Sequence, residues 1–224
     1  MASSIANNHH DTFNLDTIAE NFARCIEDID KKVDMSLYIS AFEELNKFFH
    51  HMGRVFTFVA SDIHEKCTIL TGHLQSDVGT HYSSIRDMVD YEVSNSITVV
   101  HDRHKLASGC RTLLRLHRAL KFIIEFLDKL SAAALDDHVS SIGHKAYDTT
   151  LRHYHPWLVR QAVGLAMYAL PNVHGLAKIV AENNGHQLDH SLMQGSLQKI
   201  VQAAQPVYDV TQEMYEASNL LDLP

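Results

Sequence analysis

The chain has little that interrupts a helix, with only four prolines and nine glycines in 224 residues. Its apolar residues recur mostly at intervals of three and four, and no convincing alternation of apolar and polar positions marks a strand, so helices are expected to dominate. Cysteine is scarce as well. Cys25, Cys67 and Cys110 are scattered, odd in number and form no CxxC pair, which suits a reducing compartment better than a secreted disulfide framework. The first eleven residues are small and polar, with no apolar core of a signal peptide. No stretch approaches the roughly eighteen uncharged apolar residues of a membrane span. A cytosolic location is the expectation. Positive charge is also in deficit, since 19 Lys and Arg face 27 Asp and Glu for a net charge of −8. Such a chain is repelled by nucleic acid, and any anion site must be a local basic cluster.

What is present is enough apolar material, 46% of residues, to bury one substantial core. Residues 12–224 are expected to form one domain, preceded by a loose tail over 1–11. The periodicity predicts helices over 15–31, 37–50, 54–70, 82–93, 108–130, 144–169 and 190–217, with a short one over 176–182. The intervening breaks have ordinary loop lengths, and none looks like an interdomain linker.

Three places put polar residues where apolar ones are expected. On the third predicted helix, one face reads Val55, Phe58, Val59, Asp62, Lys66, Ile69 and Leu70, so two charges interrupt an apolar stripe. They stand in the favourable acid-before-base i,i+4 order, and a surface ion pair at the edge of the stripe would read the same way. In the segment GCRTLLRLHRAL, Arg111, Arg115 and Arg118 fall at i, i+4 and i+7, one line along a helix that Phe122 continues. Planar guanidinium forks suit phosphate oxygens, and Ser108 as N-cap would place Arg111 in the first turn, where free N–H groups favour an anion. A solvated basic face is the alternative. The third place is the YHPW segment at 154–157. His155 interrupts the stripe Leu151, Leu158, Val159 and Ala162, and Pro156 removes a backbone donor, so the helix is expected to kink or restart there. A lone histidine on such a face is commonly a core residue. Trp157, the only tryptophan, suits either a core or a membrane interface.

A metal enzyme is a competing reading prompted by 17 histidines, with His101 near His104 and His186 near His190. HExxH is absent, because His64-Glu65 is followed by Thr68 where a second histidine would be required. Neither metal nor cofactor is expected. A helical module that uses its apolar grooves to bind a partner helix is the other competitor.

Taken in order, Asp62-x-x-x-Lys66, GCRTLLRLHRAL and YHPW resemble the glycolipid transfer protein superfamily, and most nearly its ceramide-1-phosphate transfer branch. The resemblance runs from Phe13-Asn14-Leu15 to the final Leu220-Leu221-Asp222-Leu223-Pro224, nearly the whole chain. It implies an all-α, two-layer sandwich of about eight helices that carries one lipid without altering it. By resemblance, Asp62 and His155 read the two sides of the ceramide amide, while Lys66, Arg111 and Arg115 clasp the phosphate with Arg118 in support. The glycolipid-binding branch has tryptophan at the position of Arg115, so arginine there implies ceramide-1-phosphate rather than a sugar lipid such as a glycosylceramide.

The apolar pocket is expected to draw on Leu15, Phe48, Val55, Phe58, Val59, Leu114, Phe122, Leu151 and Val159, with Leu15 as a gate by resemblance. Trp157 and the 33–38 loop, through Met35 and Leu37, would by resemblance touch the membrane. The net charge argues for brief visits to membranes by a monomeric carrier.

Overall fold

The structure is a computed structural model that describes residues 12–26, 32–53, 56–100, 106–183 and 187–224. The expected tail over 1–11 lies outside the described residues, as do Val55 and the histidines at 101, 104 and 186. Nine α-helices are formed among the described residues: α1 (Leu15–Arg24), α2 (Met35–His51), α3 (Thr57–Leu74), α4 (Ile85–Ser94), α5 (Gly109–Ser131), α6 (Val139–Thr149), α7 (Trp157–Tyr168), α8 (Val173–Asn183) and α9 (His190–Ala217). They stack in two layers around one continuous apolar core. No strand forms among these residues, and two isolated bridges, Asp34 with Ser84 and His138 with Asn172, tie helix entrances together.

Local chemistry sets the helix starts. Asn14, Asp34, Ser84, Ser108 and Asp189 each accept a backbone N–H of the first turn through the side chain. The expected Ser108 cap is therefore present, with Oγ 3.1 Å from the Arg111 nitrogen. α5 is the central rod, packing on α9, α3, α6 and α4. Its start is anchored by Glu92, a buried carboxylate that accepts hydrogen bonds from Gly109 N, Cys110 N, the Ser108 hydroxyl and the Tyr82 hydroxyl at 2.6–3.0 Å. Four donors satisfy an anion that would otherwise be costly to bury.

The single helix expected over 144–169 is two helices. α6 begins earlier, at Val139, and ends at Thr149, a 3-10 turn covers Arg152–Tyr154, and α7 restarts at Trp157. The cause is Pro156, which forces His155 into an extended conformation (φ −96°, ψ 137°) and serves as the N-cap of α7. α6 and α7 then pack closely at Gly143, where a Cβ would lie 2.5 Å from the Met167 sulfur.

The second helix starts two residues earlier than the spacing suggests, and this changes the reading of the 33–38 segment. Asp34 caps α2 and its bridge to Ser84 pulls the entrance inward. Val33, Met35 and Tyr38 are consequently fully buried, and Leu37 packs on the core half-buried. Met35 therefore stands as a core residue rather than the tip of a membrane-touching loop.

Candidate functional site

A cavity of about 470 Å³ opens between α3, α5, α6 and α7. Most of its wall is apolar, formed by side chains including Phe58, Val59, Phe122, Leu151, Val159 and Val163. Five of the expected pocket residues thus line it: Phe58, Val59, Phe122, Leu151 and Val159. Leu15, Phe48 and Leu114 do not. Phe48 and Leu114 are sealed in the core, with Phe48 set edge-on against Phe13 at 5.2 Å, and Leu15 lines a separate small cleft beside α8 and α9. Helical spacing marks all three as buried, but core and cavity wall carry the same apolar signature.

The polar groups of the cavity are those that broke the apolar stripes. Asp62 and Lys66 from α3, Arg115 and Arg118 from α5, and His155 from the α6–α7 connection all line it. Lys66 is buried, and its ammonium donates to the Asp62 carboxylate at 2.5 Å and to the Asp62 carbonyl at 3.3 Å. A cation held with its hydrocarbon stem in the core and its head at the cavity has few rotamers left to lose when an anion arrives.

Arg111 sits just outside the lining, in the first turn of α5, and is joined to its neighbours through the last residues of the chain. The Arg111 Nε donates to the Pro224 backbone oxygen at 2.6 Å, and Arg115 makes a longer 3.5 Å contact to the same oxygen. Arg118 donates to the Leu221 carbonyl at 2.6 Å and lies 4.0 Å from the centre of the Tyr154 ring, a cation–π geometry. The segment reaches these residues because α9 ends at Ala217 and Asn219 turns the chain with a left-handed backbone (φ 54°). The backbone oxygens of Leu221 and Pro224, placed between the three cations, hold the guanidiniums in register. The arrangement can accept an anion.

His155 is half-buried, and burial lowers its pKa below the usual imidazole value, with Arg160 adding to the effect and Asp62 opposing it. It is neutral at pH 7. The Tyr147 hydroxyl lies 2.9 Å from its Nδ1, and Arg160 Nε donates to its carbonyl at 2.7 Å. A neutral imidazole beside a carboxylate offers one donor and one acceptor, the complement of a secondary amide. Tyr147, Tyr154, Arg160 and the C-terminal backbone oxygens escape sequence reasoning. Tyr154 adjoins His155, and Tyr147 shares its predicted stripe two i+4 steps away, but an unbroken helix would hold those two about 12 Å apart, and a backbone oxygen has no side-chain signature.

Trp157 opens α7 on the outside of the cavity and is 71% exposed. Leu158, Leu165 and Tyr168 are equally open, while Val159, Val163, Ala166 and Met167 face inward. α7 is a wall one helix thick, apolar on both sides. Such an outer face is unusual for a surface helix. Among the described residues no helix is long and apolar enough to cross a membrane, and no group of three potential metal ligands occurs.

The family model for glycolipid transfer protein matches residues 33–182. The ceramide-1-phosphate transfer protein of Danio rerio is 36% identical over 215 residues, covering 96% of this chain and 99% of that protein. Its Mus musculus counterpart is 37% identical over 216 residues, with 95% and 97% covered. Among solved structures, human ceramide-1-phosphate transfer protein in complex with 2:0 ceramide-1-phosphate superimposes with a TM-score of 0.85 at 33% identity, covering 95% of this chain and all of that one. The chain belongs to the glycolipid transfer protein family.

Proposed function

We propose that the protein moves ceramide-1-phosphate between membranes, holding one lipid at a time and leaving it chemically unchanged. The observation that carries this reading is the meeting of Lys66, Arg115 and Arg118 with Asp62 and His155 at one cavity whose remaining wall is apolar. The hydrocarbon chains enter the apolar part, where each buried methylene contributes about 0.8 kcal/mol. The phosphate takes charge-assisted hydrogen bonds from Lys66, Arg111 and Arg115, with Arg118 supporting them. Asp62 accepts the amide N–H, and His155 donates to the amide carbonyl. Reading both sides of an amide selects a sphingolipid over a glycerolipid.

Lipid enters and leaves where α7 meets a membrane. Trp157, Leu158, Leu165 and Tyr168 dip into the interface, and Arg160 is the only charged residue in the helix. The half-buried Leu37 is a weaker candidate for that contact. The net charge of −8 limits adhesion to anionic surfaces, so visits are brief and the protein works as a cytosolic monomer. Supporting this reading are the names of the relatives and the lipid in the human complex.

Native mass spectrometry after incubation with ceramide-1-phosphate, glucosylceramide and phosphatidic acid tests the assignment. One ceramide-1-phosphate per chain is expected, in preference to the other two. Preference for glucosylceramide would overturn the head-group assignment, and failure to bind any of the three would overturn the carrier reading.

A further inference from the structure

We infer that Tyr147 is a positioning residue for head-group recognition, fixing the proton of His155 on Nε2 so that the imidazole presents a donor to the ligand amide. The inference rests on the reading of His155 given above and adds a residue to it. The Tyr147 hydroxyl is 2.9 Å from His155 Nδ1, and no other hydrogen-bond partner is recorded for either atom among the described residues. Both residues line the cavity, and Tyr147 is itself buried. Burial also raises the phenol pKa, so the hydroxyl keeps its proton.

A neutral imidazole has one N–H to place on either of two nitrogens. When the hydroxyl donates to Nδ1, that nitrogen must be the bare acceptor, and the N–H is left on Nε2. Arg160 holds the other end of the residue through the His155 carbonyl at 2.7 Å, which limits rotation of the backbone carrying the ring. Without the hydroxyl the two tautomers are free to interchange, and the Nδ1–H form turns a lone pair toward a carbonyl that is also an acceptor. The fold does not need this hydroxyl. The Tyr147 ring packs in the core, and phenylalanine preserves that packing.

Acid supplies a readout that packing alone would not move. Protonated imidazole carries N–H on both nitrogens, so acidification restores the Nε2 donor without help from position 147. The charged and titratable groups around the ring are Asp62 and Lys66 on α3, Arg115 and Arg118 on α5, Tyr147 on α6, the adjacent Tyr154, and Arg160 on α7. All but residue 147 are common to both proteins, as is the phosphate of the lipid. The ratio of variant to wild type therefore isolates the imidazole.

The test compares wild type, Tyr147→Phe and His155→Leu by titration with short-chain ceramide-1-phosphate at about pH 7.5 and at a lower pH where NMR shows the His155 ring protonated. Tyr147→Phe is expected to bind about five- to tenfold more weakly at the higher pH, the scale of one net hydrogen bond, and to approach wild type at the lower. Wild-type affinity of Tyr147→Phe at the higher pH overturns the inference, as does a deficit that acid does not relieve. His155→Leu separates the two levels. If it binds poorly while Tyr147→Phe passes as wild type, only the role of Tyr147 falls, whereas wild-type binding by His155→Leu removes His155 from the site.

Discussion

The ion pair at the cavity mouth has two ends of unequal burial, and this predicts that its two halves fail differently. The Lys66 side chain is 10% exposed and that of Asp62 is 63% exposed. Replacing Lys66 with methionine leaves the carboxylate in water, where it needs no partner, and fills the space of the lysine stem with an apolar chain. The cost to folding should stay below about 1 kcal/mol, because an exposed partner contributes little and the ammonium had itself been desolvated. Asp62→Ala does the reverse. It strands a covered ammonium whose other recorded acceptor is the Asp62 carbonyl at 3.3 Å, a loss of about 1–3 kcal/mol. For the ligand the order is inverted: Lys66→Met removes a charge-assisted hydrogen bond to phosphate worth about 1.5–3 kcal/mol, or one to two orders of magnitude in affinity. Urea unfolding of both variants, paired with ceramide-1-phosphate titration, measures the two quantities. Lys66→Met destabilising the fold more than Asp62→Ala would refute the burial argument, and wild-type ceramide-1-phosphate affinity in Lys66→Met would remove the lysine from the phosphate site.

Three further outcomes are expected. Glu92→Ala should cost at least about 3 kcal/mol in urea unfolding, since it strips the acceptor from four donors at the start of α5. His117 is buried against Tyr208 with its Nε2 2.7 Å from Gln212 Oε1, and burial lowers its pKa from 6.5 to about 4. The unfolded chain therefore takes up this proton first. The contribution of the neutral histidine is complete above about pH 6.5 and is lost as the pH falls to about 4, on the order of 3 kcal/mol in all. His117→Phe should flatten the stability profile across that window, and an unchanged acid slope would contradict it. Deleting residues 222–224 and amidating the new end removes the Pro224 oxygen from Arg111 and Arg115 while keeping a neutral Leu221 carbonyl for Arg118. Ceramide-1-phosphate binding should weaken several-fold with stability changed by no more than about 0.5 kcal/mol. Tighter binding would instead mean that the Pro224 oxygen competes with phosphate.

Much of the architecture was readable from spacing because helices are local. α5 and α9 begin and end within a residue or so of the expected positions, where a cap and a long apolar stripe agree. The interruptions of those stripes located five cavity residues for a physical reason: a charge on a buried face requires a partner, and here the partners are one another and the cavity. The failures share a cause too. Met35 lies at a loop-to-helix boundary, where the inward pull of the Asp34–Ser84 bridge depends on a residue fifty positions away. Leu15, Phe48 and Leu114 differ from true wall residues only in what stands opposite them. The Tyr147–His155 contact depends on the break between α6 and α7, because eight residues of unbroken helix would separate the two by about 12 Å.

The turn at Asn219 that brings Leu221 and Pro224 back onto the arginines has a practical consequence for anyone handling this protein. A label or affinity tag joined after residue 224 would emerge beside Arg111 and Arg115, at the mouth of the cavity. A tag rich in aspartate would offer those guanidiniums carboxylates at high effective concentration and compete with any phosphate measured in the same tube. The chain without such a tag lacks those added carboxylates. Affinities taken from the two kinds of preparation should differ, and more so at low salt, where the tethered carboxylates are least screened.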